Sequence, residues 1–312
     1  MKALTCPICG NSTTNQIYVA KEMMLGLFDE FEYFQCSNCG CLQISDMVEN
    51  LSKYYPENYY SFSTKRIKSK IEEKVKNTIK GQIIKYKIGR ATLVGYILSR
   101  VFNNFYWIFK GLCDYNSKIL DIGCGNGNLL LELNAMGFNR LKGLDPFISK
   151  DINYLEGVTV EKKEISDIDE TFDLIMFHHS FEHIGNPEEV LRKIYDCLNP
   201  KSYVLIRIPV SSCYAFRKYG INWVQLDAPR HFFLHTPVSI NILAERTHFK
   251  VVRTIYDSTS FQFSGSIKYE NNYTGYQVYE FSKKQLKYFE KEAKHLNNIH
   301  DGDSACFYLQ KG

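Results

Sequence analysis

Four cysteines near the start of the chain stand in two closely spaced pairs. Cys6 and Cys9 form one pair, Cys36 and Cys39 form the other, and a glycine follows each pair. Two thiolates separated by two residues can bind one edge of a metal ion, and four thiolates satisfy tetrahedral zinc. Because such a site leaves no open coordination position, we predict a structural zinc ribbon. Disulfides or free thiols are the alternative, and disulfides rarely persist in a reducing compartment.

A glycine-rich turn in the middle of the chain is suited to ligand binding. An apolar stretch that ends at Asp121 runs into Gly123, Gly125 and Gly127, and a predicted helix follows. Glycine lets the backbone approach a ligand closely, and the helix N-terminus offers free N–H groups. The spacing differs from the G-x-G-x-x-G of dinucleotide-binding proteins, and the Asp121 carboxylate would repel a pyrophosphate. We therefore predict a cationic ligand, with an NAD-binding unit as the alternative.

A second carboxylate, Asp145, ends the next predicted strand and precedes Pro146. At the end of the second strand of such a fold, a carboxylate can accept hydrogen bonds from both hydroxyls of a ribose. The alternative is that Asp145 is only a solvated turn residue.

Three histidines and a glutamate follow the fourth predicted strand. His178, His179 and His183 stand there with Glu182. Ligands of parallel sheets bind at this edge, and imidazole is the side chain that removes a proton near neutral pH. We predict catalytic roles for His179, Glu182 and His183. The alternative is that Glu182 and His183 only brace the loop.

A second polar cluster, with Arg230 and His231, follows the fifth predicted strand. Polar loops on an α/β scaffold are usually functional, and arginine is a two-pronged ligand for carboxylate or phosphate. We predict that Arg230 anchors the acceptor and that His231 serves as a base. A structural arginine–carboxylate pair and a buried histidine are the alternative.

The elements that must position these residues alternate between strand and helix from residue 117 onward. This alternation predicts an α/β fold with a seven-stranded, mostly parallel Rossmann-like sheet and helices on both faces. The strands are predicted at 118–121, 140–145, 158–163, 172–177, 202–208, 250–256 and 304–309, and the clearest helices at 128–136, 187–198 and 238–247. We predict three parts: a four-cysteine zinc ribbon at 1–45, an aromatic loop and basic helices that cover the active site at 46–112, and the sheet domain at 113–312.

The composition is that of a globular chain. It has 312 residues, of which 45% are hydrophobic and 23% are charged, and this excludes a disordered or collagen-like protein. The net charge of +4 is too small by itself to indicate a nucleic-acid binder. The N-terminus lacks the apolar segment of a signal peptide, and the apolar stretch 93–109 is too short and polar to span a membrane. We therefore expect a cytoplasmic protein.

The charge is concentrated between residues 65 and 90, where ten Lys and Arg face two Glu. Ile67, Ile71, Val75 and Ile79 fall four residues apart, which predicts an amphipathic helix. A helix packed on the core with a solvated basic face is the favoured interpretation. Weak peripheral contact of residues 65–90 with the inner face of an anionic membrane is the sharper alternative.

The glycine loop and Asp145 together resemble the S-adenosylmethionine site of class I methyltransferases, over roughly residues 115–260. The resemblance implies that S-adenosylmethionine is the cofactor and that Asp121, Gly123 and Gly125 hold its methionine end. It implies that Asp145 holds the ribose, that Glu164 meets the adenine amino group and that the Ile165 backbone meets the ring nitrogen. It adds the neighbouring residues Cys124, Pro146 and His178 to the cofactor site.

The order of ribbon, aromatic loop, sheet domain and Arg230–His231 loop is similar to zinc-ribbon methyltransferases of surface-polysaccharide gene clusters. More distantly, it is similar to C-methyltransferases of nucleotide-linked keto-sugars. The likeness rests on Cys36 to Gln43, on Tyr55, Pro56 and Tyr59, on Asp121 to Gly127, and on His231. It implies O-methylation of a sugar or glycan intermediate, either a sugar nucleotide or a lipid-linked sugar.

The same likeness implies that Tyr59 approaches the active site, with a packing role as its alternative. C-methylation stays an alternative, although Arg230 replaces the glutamate of the keto-sugar enzymes. His179, Glu182 and His183 also resemble a divalent-metal cluster of ubiquinone-pathway O-methyltransferases, with His179 in place of a glutamate.

Two further functions remain open. One is an RNA methyltransferase, but the chain has no Asn-Pro-Pro-Tyr-like motif and no basic stripe on its sheet domain, so we expect no nucleic-acid partner. The other is an interaction protein with a degenerate cofactor fold, against which the intact glycine loop and Asp145 argue.

Overall fold

The computed structural model describes residues 4–55, 70–90, 92–102, 105, 107–154 and 157–312. They fall into two compact units, each made of separate stretches of chain. The first unit contains Met1–Pro56, His179–Leu191 and Ile206–Tyr308, and the second contains Glu57–His178, Arg192–Leu205 and Leu309–Gly312. The three-part division of the sequence stays a prediction. Tyr59 lies outside the described residues.

The described residues form strands and helices that alternate through most of the chain. The strands are β1 (Gln16–Lys21), β2 (Glu30–Gln35), β3 (Leu42–Ile44), β4 (Ile119–Ile122), β5 (Leu141–Leu144), β6 (Ile152–Asn153), β7 (Thr159–Glu161), β8 (Phe172–His178), β9 (Leu198–Pro209), β10 (Phe233–Leu234), β11 (Phe249–Tyr256) and β12 (Ser304–Lys311). The α-helices are α1 (Lys70–Lys87), α2 (Leu93–Val101), α3 (Asn128–Ala135), α4 (Pro187–Asp196), α5 (Tyr214–Tyr219), α6 (Pro237–Arg246), α7 (Phe261–Glu270) and α8 (Lys283–Asn298).

The first unit has a four-stranded sheet in the order β1-β2-β3-β10, with antiparallel pairing throughout. Strand β2 lies between its two neighbours and pairs with both β1 and β3. Tyr33 and Leu42 are fully buried in a core with Trp223. The Tyr33 hydroxyl donates a hydrogen bond of 2.8 Å to the carbonyl of His231 and so ties the ribbon to that loop.

The larger sheet has eight strands in the order β11-β12-β9-β8-β4-β5-β7-β6. All seven predicted strands are present near their predicted positions, but the predicted number of seven is wrong. The additional strand, β6, has only two residues and pairs antiparallel with β7, so it leaves no periodic pattern in the sequence. The sheet is therefore mixed, although β4 pairs in parallel with β5 and β8, and β5 with β7.

Sequence-local signals explain several boundaries. All four residues of β4 are buried, as expected of an apolar strand inside a parallel sheet. Helix α6 begins at Pro237, and the side chain of Thr236 accepts a hydrogen bond from the backbone N–H of Ser239. The sequence did not predict α7 and α8. Within the described ranges, no helix is both long enough and apolar enough to cross a membrane.

Candidate functional site

The four ribbon cysteines converge in the first unit. The Sγ atoms of Cys6 and Cys39 are 3.7 Å apart, and those of Cys9 and Cys36 are 3.4 Å apart. A disulfide would need about 2.05 Å, whereas ligands on a tetrahedron with Zn–S bonds of 2.3 Å lie about 3.8 Å apart. All four are free thiols whose ligand atoms lie within 4.8 Å of one another. The donor set therefore fits zinc, and the disulfide alternative is wrong.

Backbone and side-chain amides surround these sulfurs. Each cysteine pair is closed by a glycine N–H, with Gly10 donating to the carbonyl of Cys6 and Gly40 to that of Cys36, both at 2.8 Å. The Gln43 amide donates to the Sγ of Cys6 at 3.2 Å. Such second contacts orient thiolate ligands and stabilise their charge.

In the second unit, the glycine loop and Asp145 form one hydrogen-bonded structure. Gly125 has a φ of 55°, which favours glycine, and its N–H donates to Oδ2 of Asp145 at 2.8 Å. Oδ1 of Asp145 accepts the N–H of Phe147 at 2.9 Å. The predicted loop residues and the predicted ribose-binding carboxylate are therefore neighbours in the structure.

Asp121 is buried beside this loop, and none of the described residues forms an ion pair with its carboxyl group. Its side chain is 2% exposed, and Oδ1 has no hydrogen-bond partner within the described part of the chain. Burial and the nearby Asp145 raise the pKa of Asp121 to about 8. A cation placed here would relieve both the burial and the repulsion between the two carboxyl groups.

The other predicted cofactor residues in this unit have ordinary local contacts. Glu164 is exposed and caps the short 3-10 helix Ile165–Asp167, and Pro146 is half-buried. The His178 ring meets Trp107 edge-on, with ring centres 5.0 Å apart. Sequence reasoning missed Gly143, where a Cβ would lie 2.5 Å from the Sγ of Cys124.

The first unit brings three of the predicted catalytic histidines around Glu182, which is fully buried. His179 Nδ1 lies 3.6 Å from Oε1 of Glu182, and His231 Nε2 lies 3.9 Å from the same oxygen. The His183 and His231 rings meet edge-on with centres 4.8 Å apart. Neither carboxylate oxygen of Glu182 accepts a hydrogen bond from any described residue. The cluster therefore offers an acceptor that a ligand donor or a cation can satisfy.

Obligatory hydrogen-bond partners define the tautomer of each histidine. Nδ1 of His231 lies 2.8 Å from the carbonyl of Gln225, and Nδ1 of His183 lies 2.7 Å from that of Arg230. A carbonyl only accepts, so both Nδ1 atoms are protonated and, in the neutral rings, both Nε2 atoms carry lone pairs. His179 differs, because its Nε2 accepts from Nη1 of Arg207 at 2.6 Å. His231 and His183 are thus better placed to act as bases than His179.

The surroundings also set the charges in this cluster. Burial and the neighbouring His183 lower the pKa of His231 to about 4, so His231 is neutral at pH 7. Burial alone would raise the pKa of Glu182, but the contacts with the three histidines lower it to about 2. His231 therefore presents an unprotonated Nε2 beside a buried carboxylate.

The same cluster has the composition of a divalent-metal site. One oxygen of Glu182 and one ring nitrogen each of His183 and His231 lie within 4.8 Å of one another. Two imidazoles and one carboxylate form a donor set that first-row divalent metals accept. The third candidate metal ligand is therefore His231, and not His179 as the sequence indicated.

Arg230 is engaged by groups of the protein itself, which favours a structural role, and its role as an acceptor anchor stays a prediction. Its side chain is fully buried and donates to Asp227 at 2.5 and 2.9 Å, to Glu22 at 3.0 Å and to the carbonyl of Tyr54 at 3.3 Å. The structural arginine–carboxylate pair, which was the alternative, is what the structure contains. The sequence did not indicate that Glu22 pairs with Arg230, because the two residues are 208 positions apart along the chain.

We expect the Arg230→Met variant to lower the free energy of unfolding by about 3–5 kcal/mol, because it leaves the buried carboxylate of Glu22 and the partly buried carboxylate of Asp227 without their arginine. Arg217→Met is the matched control, since the Arg217–Asp301 pair is exposed and contributes about 1 kcal/mol or less. Urea denaturation measures both. A stable Arg230→Met protein with weakened acceptor binding would support the anchoring role.

A polar cavity of about 270 Å³ lies in the first unit next to the histidine cluster. Sequence reasoning missed most of its lining, which is His179, Arg207, Gln225, Asp257, Thr259, Phe261, Gln262, Asp303 and Ser304. Gln262 is 1% exposed, and its Oε1 has no partner among the described residues. The Arg207 guanidinium donates to Asp257 at 2.5 Å. The sequence did offer one indication, because Arg207 is a charged residue within the apolar stretch 204–209 of β9.

Comparison with known proteins gives one family match and several relatives. The family model described as a methyltransferase domain matches residues 96–254. A ubiquinone biosynthesis O-methyltransferase of Pseudomonas putida (strain W619) is 31% identical over 109 residues, 31% of this chain and 47% of that protein. Another, of Pseudomonas savastanoi pv. phaseolicola, is 28% identical over 139 residues, 40% of this chain and 59% of that protein. The chain thus spans about half the length of these curated relatives.

Two solved structures are also similar to this chain. One is a SAM-dependent methyltransferase from Archaeoglobus fulgidus, 21% identical, with 69% of this chain and 94% of that chain covered and a TM-score of 0.43. The other is a mycolic acid cyclopropane synthase complexed with SAH and CTAB, 16% identical, with 75% and 95% covered and a TM-score of 0.45.

Proposed function

Because this chain belongs to the methyltransferase-domain family, we propose that it transfers the methyl group of S-adenosylmethionine to a hydroxyl of a sugar or glycan intermediate. The observation that supports this cofactor is the glycine loop, in which the Gly125 N–H donates to Asp145 and the buried Asp121 has no cationic partner in the described part of the chain. When bound, S-adenosylmethionine supplies a methyl group on a positively charged sulfur. Asp121 would hold its methionine ammonium, and Asp145 would hold its ribose.

The histidine cluster supplies the proton chemistry. The acceptor hydroxyl donates to Nε2 of His231, whose Nδ1–H is held by the carbonyl of Gln225. With S-adenosylmethionine bound, methylation of the acceptor oxygen would release the hydroxyl proton, and Nε2 of His231 would accept it. The Glu182 carboxylate, 3.9 Å away, stabilises the imidazolium that forms. Methyl transfer also depends on alignment, and a cluster buried on packed elements restricts the orientation of the acceptor.

The polar cavity supports a hydroxylated acceptor. Amide, carboxylate and guanidinium groups line it. Gln262 Oε1, which has no partner among the described residues, could accept a hydrogen bond from a sugar hydroxyl. Its volume of about 270 Å³ is just below the roughly 300 Å³ at which drug-sized pockets begin, so it suits a single sugar ring. Exposed Phe261 offers a face for that ring.

A second candidate is O-methylation of an aromatic acceptor, because the Pseudomonas relatives are ubiquinone biosynthesis O-methyltransferases. The polar lining of the cavity is less suited to an apolar ring, because each buried polar group would lose its water without a new partner. C-methylation of a keto-sugar is a third candidate, in which His231 would remove a proton from carbon.

Radiolabelled methyl transfer distinguishes these candidates. The purified protein is incubated with methyl-labelled S-adenosylmethionine and with nucleoside-diphosphate sugars, nucleotide-linked keto-sugars or catechols, each with and without a chelator. We expect label on sugar oxygen. Label on catechol alone would overturn the sugar acceptor, and failure to bind S-adenosylmethionine would overturn the whole proposal. Loss of activity on chelation, restored by a divalent cation, would assign the Glu182–His183–His231 set a metal.

We further propose that the four-cysteine cluster holds a structural zinc ion. We expect about one zinc per chain by elemental analysis, and its loss together with a lower melting temperature in the Cys6→Ser/Cys39→Ser variant. Cys41→Ser is the control, because Cys41 is buried nearby but lies outside the four-sulfur cluster. Unchanged zinc content in the double variant would contradict this assignment.

A further inference from the structure

Helix α2 in the second unit exposes four of its apolar side chains and buries its glycine. Leu93, Val94, Ile97 and Val101 are 76%, 57%, 52% and 67% exposed. At 3.6 residues per turn they occupy one arc of about 100°, which we call the α2 face. On the opposite side, Gly95 is buried, and a Cβ there would lie 2.4 Å from the backbone of α1. A helix packed in this way ordinarily exposes polar residues.

The edge of the α2 face has the residues typical of a membrane interface. Tyr96 is 40% exposed, and the guanidinium of Arg100 lies over its ring, 5.4 Å from the centre. Tyrosine and arginine both combine an apolar body with a polar end, so they sit where hydrocarbon meets lipid headgroups. Helix α2 has nine residues and is too short to cross a bilayer, but its length suits a helix lying in the interface.

The charge around the α2 face has a single sign. From Lys74 to Lys110 the sequence contains eight Lys and Arg and no Asp or Glu. Lys85, Arg90, Arg100 and Lys110 are exposed, whereas Lys80 is paired with Glu132. This basic rim is complementary to an anionic lipid surface. A second copy of this chain would instead bring an equal positive rim against it.

We propose that the α2 face inserts among the headgroups of an anionic phospholipid bilayer while the basic rim binds lipid phosphates. This surface lies at residues 93–101, beyond the 65–90 segment that the sequence indicated. Binding of this kind requires no catalytic step, so it stands apart from the proposed reaction. It would concentrate the enzyme where membrane-linked acceptors are present.

Vesicle flotation tests the proposal on the full chain. We expect the wild type to float with phosphatidylcholine vesicles that contain about one-third phosphatidylglycerol, much less with pure phosphatidylcholine, and less at high salt. The Leu93→Ser/Ile97→Ser variant should bind at least about tenfold more weakly, and Arg100→Gln about fivefold. Val278→Ser and Lys294→Gln, both at exposed positions elsewhere, should bind as the wild type does.

Hydrogen exchange of the wild type, which needs no variant, should slow at residues 93–101 when anionic vesicles are added. Absence of flotation with anionic vesicles would overturn the proposal, as would equal flotation of the Leu93→Ser/Ile97→Ser variant. If the wild type is a dimer that does not bind vesicles, and the Leu93→Ser/Ile97→Ser variant is a monomer, the α2 face binds a second copy of this chain instead.

Discussion

Replacing Asp121 with Asn should weaken binding of S-adenosylmethionine by about 10- to 100-fold, the effect of losing one hydrogen bond between charged groups. Asp121 is buried beside the glycine loop, and the ammonium of the ligand is its proposed partner. Isothermal titration calorimetry measures the affinity. Asp169→Asn is the matched control, because Asp169 is exposed. Unchanged affinity in Asp121→Asn would remove the proposed role of this carboxylate.

The pKa of Asp121 gives the same variant a second signature. With a pKa of about 8, the carboxyl is largely protonated at pH 7, and a cationic ligand favours its ionised form. Binding near pH 7 should therefore release up to one proton in the wild type and none from this position in Asp121→Asn. Titration in buffers with different ionisation enthalpies measures the released proton.

The ligand-free protein should become less stable as this carboxyl ionises. In the unfolded chain it ionises near pH 3.8, and in the folded chain near pH 8. The protonated form therefore contributes stability that is fully present below about pH 4 and is lost as the pH rises to about 8. Asp121→Asn should have the higher melting temperature at pH 9 and lose this advantage near pH 4. Equal melting temperatures at both pH values would contradict the proposed burial of charge.

Replacing His231 should reduce turnover by about 10²- to 10⁴-fold, the usual contribution of a positioned base, while affinity for S-adenosylmethionine stays unchanged. The most informative variant is His231→Asn, whose amide can still donate to the carbonyl of Gln225 but offers no base at the Nε2 position. His179→Ala should lose less activity, because Nε2 of His179 already accepts from Arg207. His295→Ala, an exposed position on α8, is the control.

The pH profile separates a base from a purely structural residue. Burial and His183 lower the pKa of His231 from 6.5 to about 4, so its neutral form persists well below pH 6. Turnover should therefore show no loss centred near pH 6.5 from this group. Full turnover in His231→Asn would exclude His231 as the base and direct attention to His183, whose Nε2 also carries a lone pair.

Some features of this protein follow from residues that are close together in the sequence. Two cysteines separated by two residues can share a metal whatever surrounds them, and four such thiols do converge here. The glycine loop likewise joins adjacent elements, a buried strand and the helix that follows it. Seven of the eight strands of the larger sheet could be predicted because they alternate with helical segments along the chain, whereas β6 has only two residues.

Only the tertiary structure decided which polar side chains are available for chemistry. Arg230 and His231 are adjacent, and the sequence predicted that both contact the acceptor. In the structure Arg230 donates to Glu22 and Asp227, whereas His231 faces Glu182. The apolar composition of α2 predicts a buried helix, but the structure exposes its apolar side chains. Burial, tautomer and charge depend on partners that lie tens to hundreds of residues away along the chain. No local pattern in the sequence carries that information.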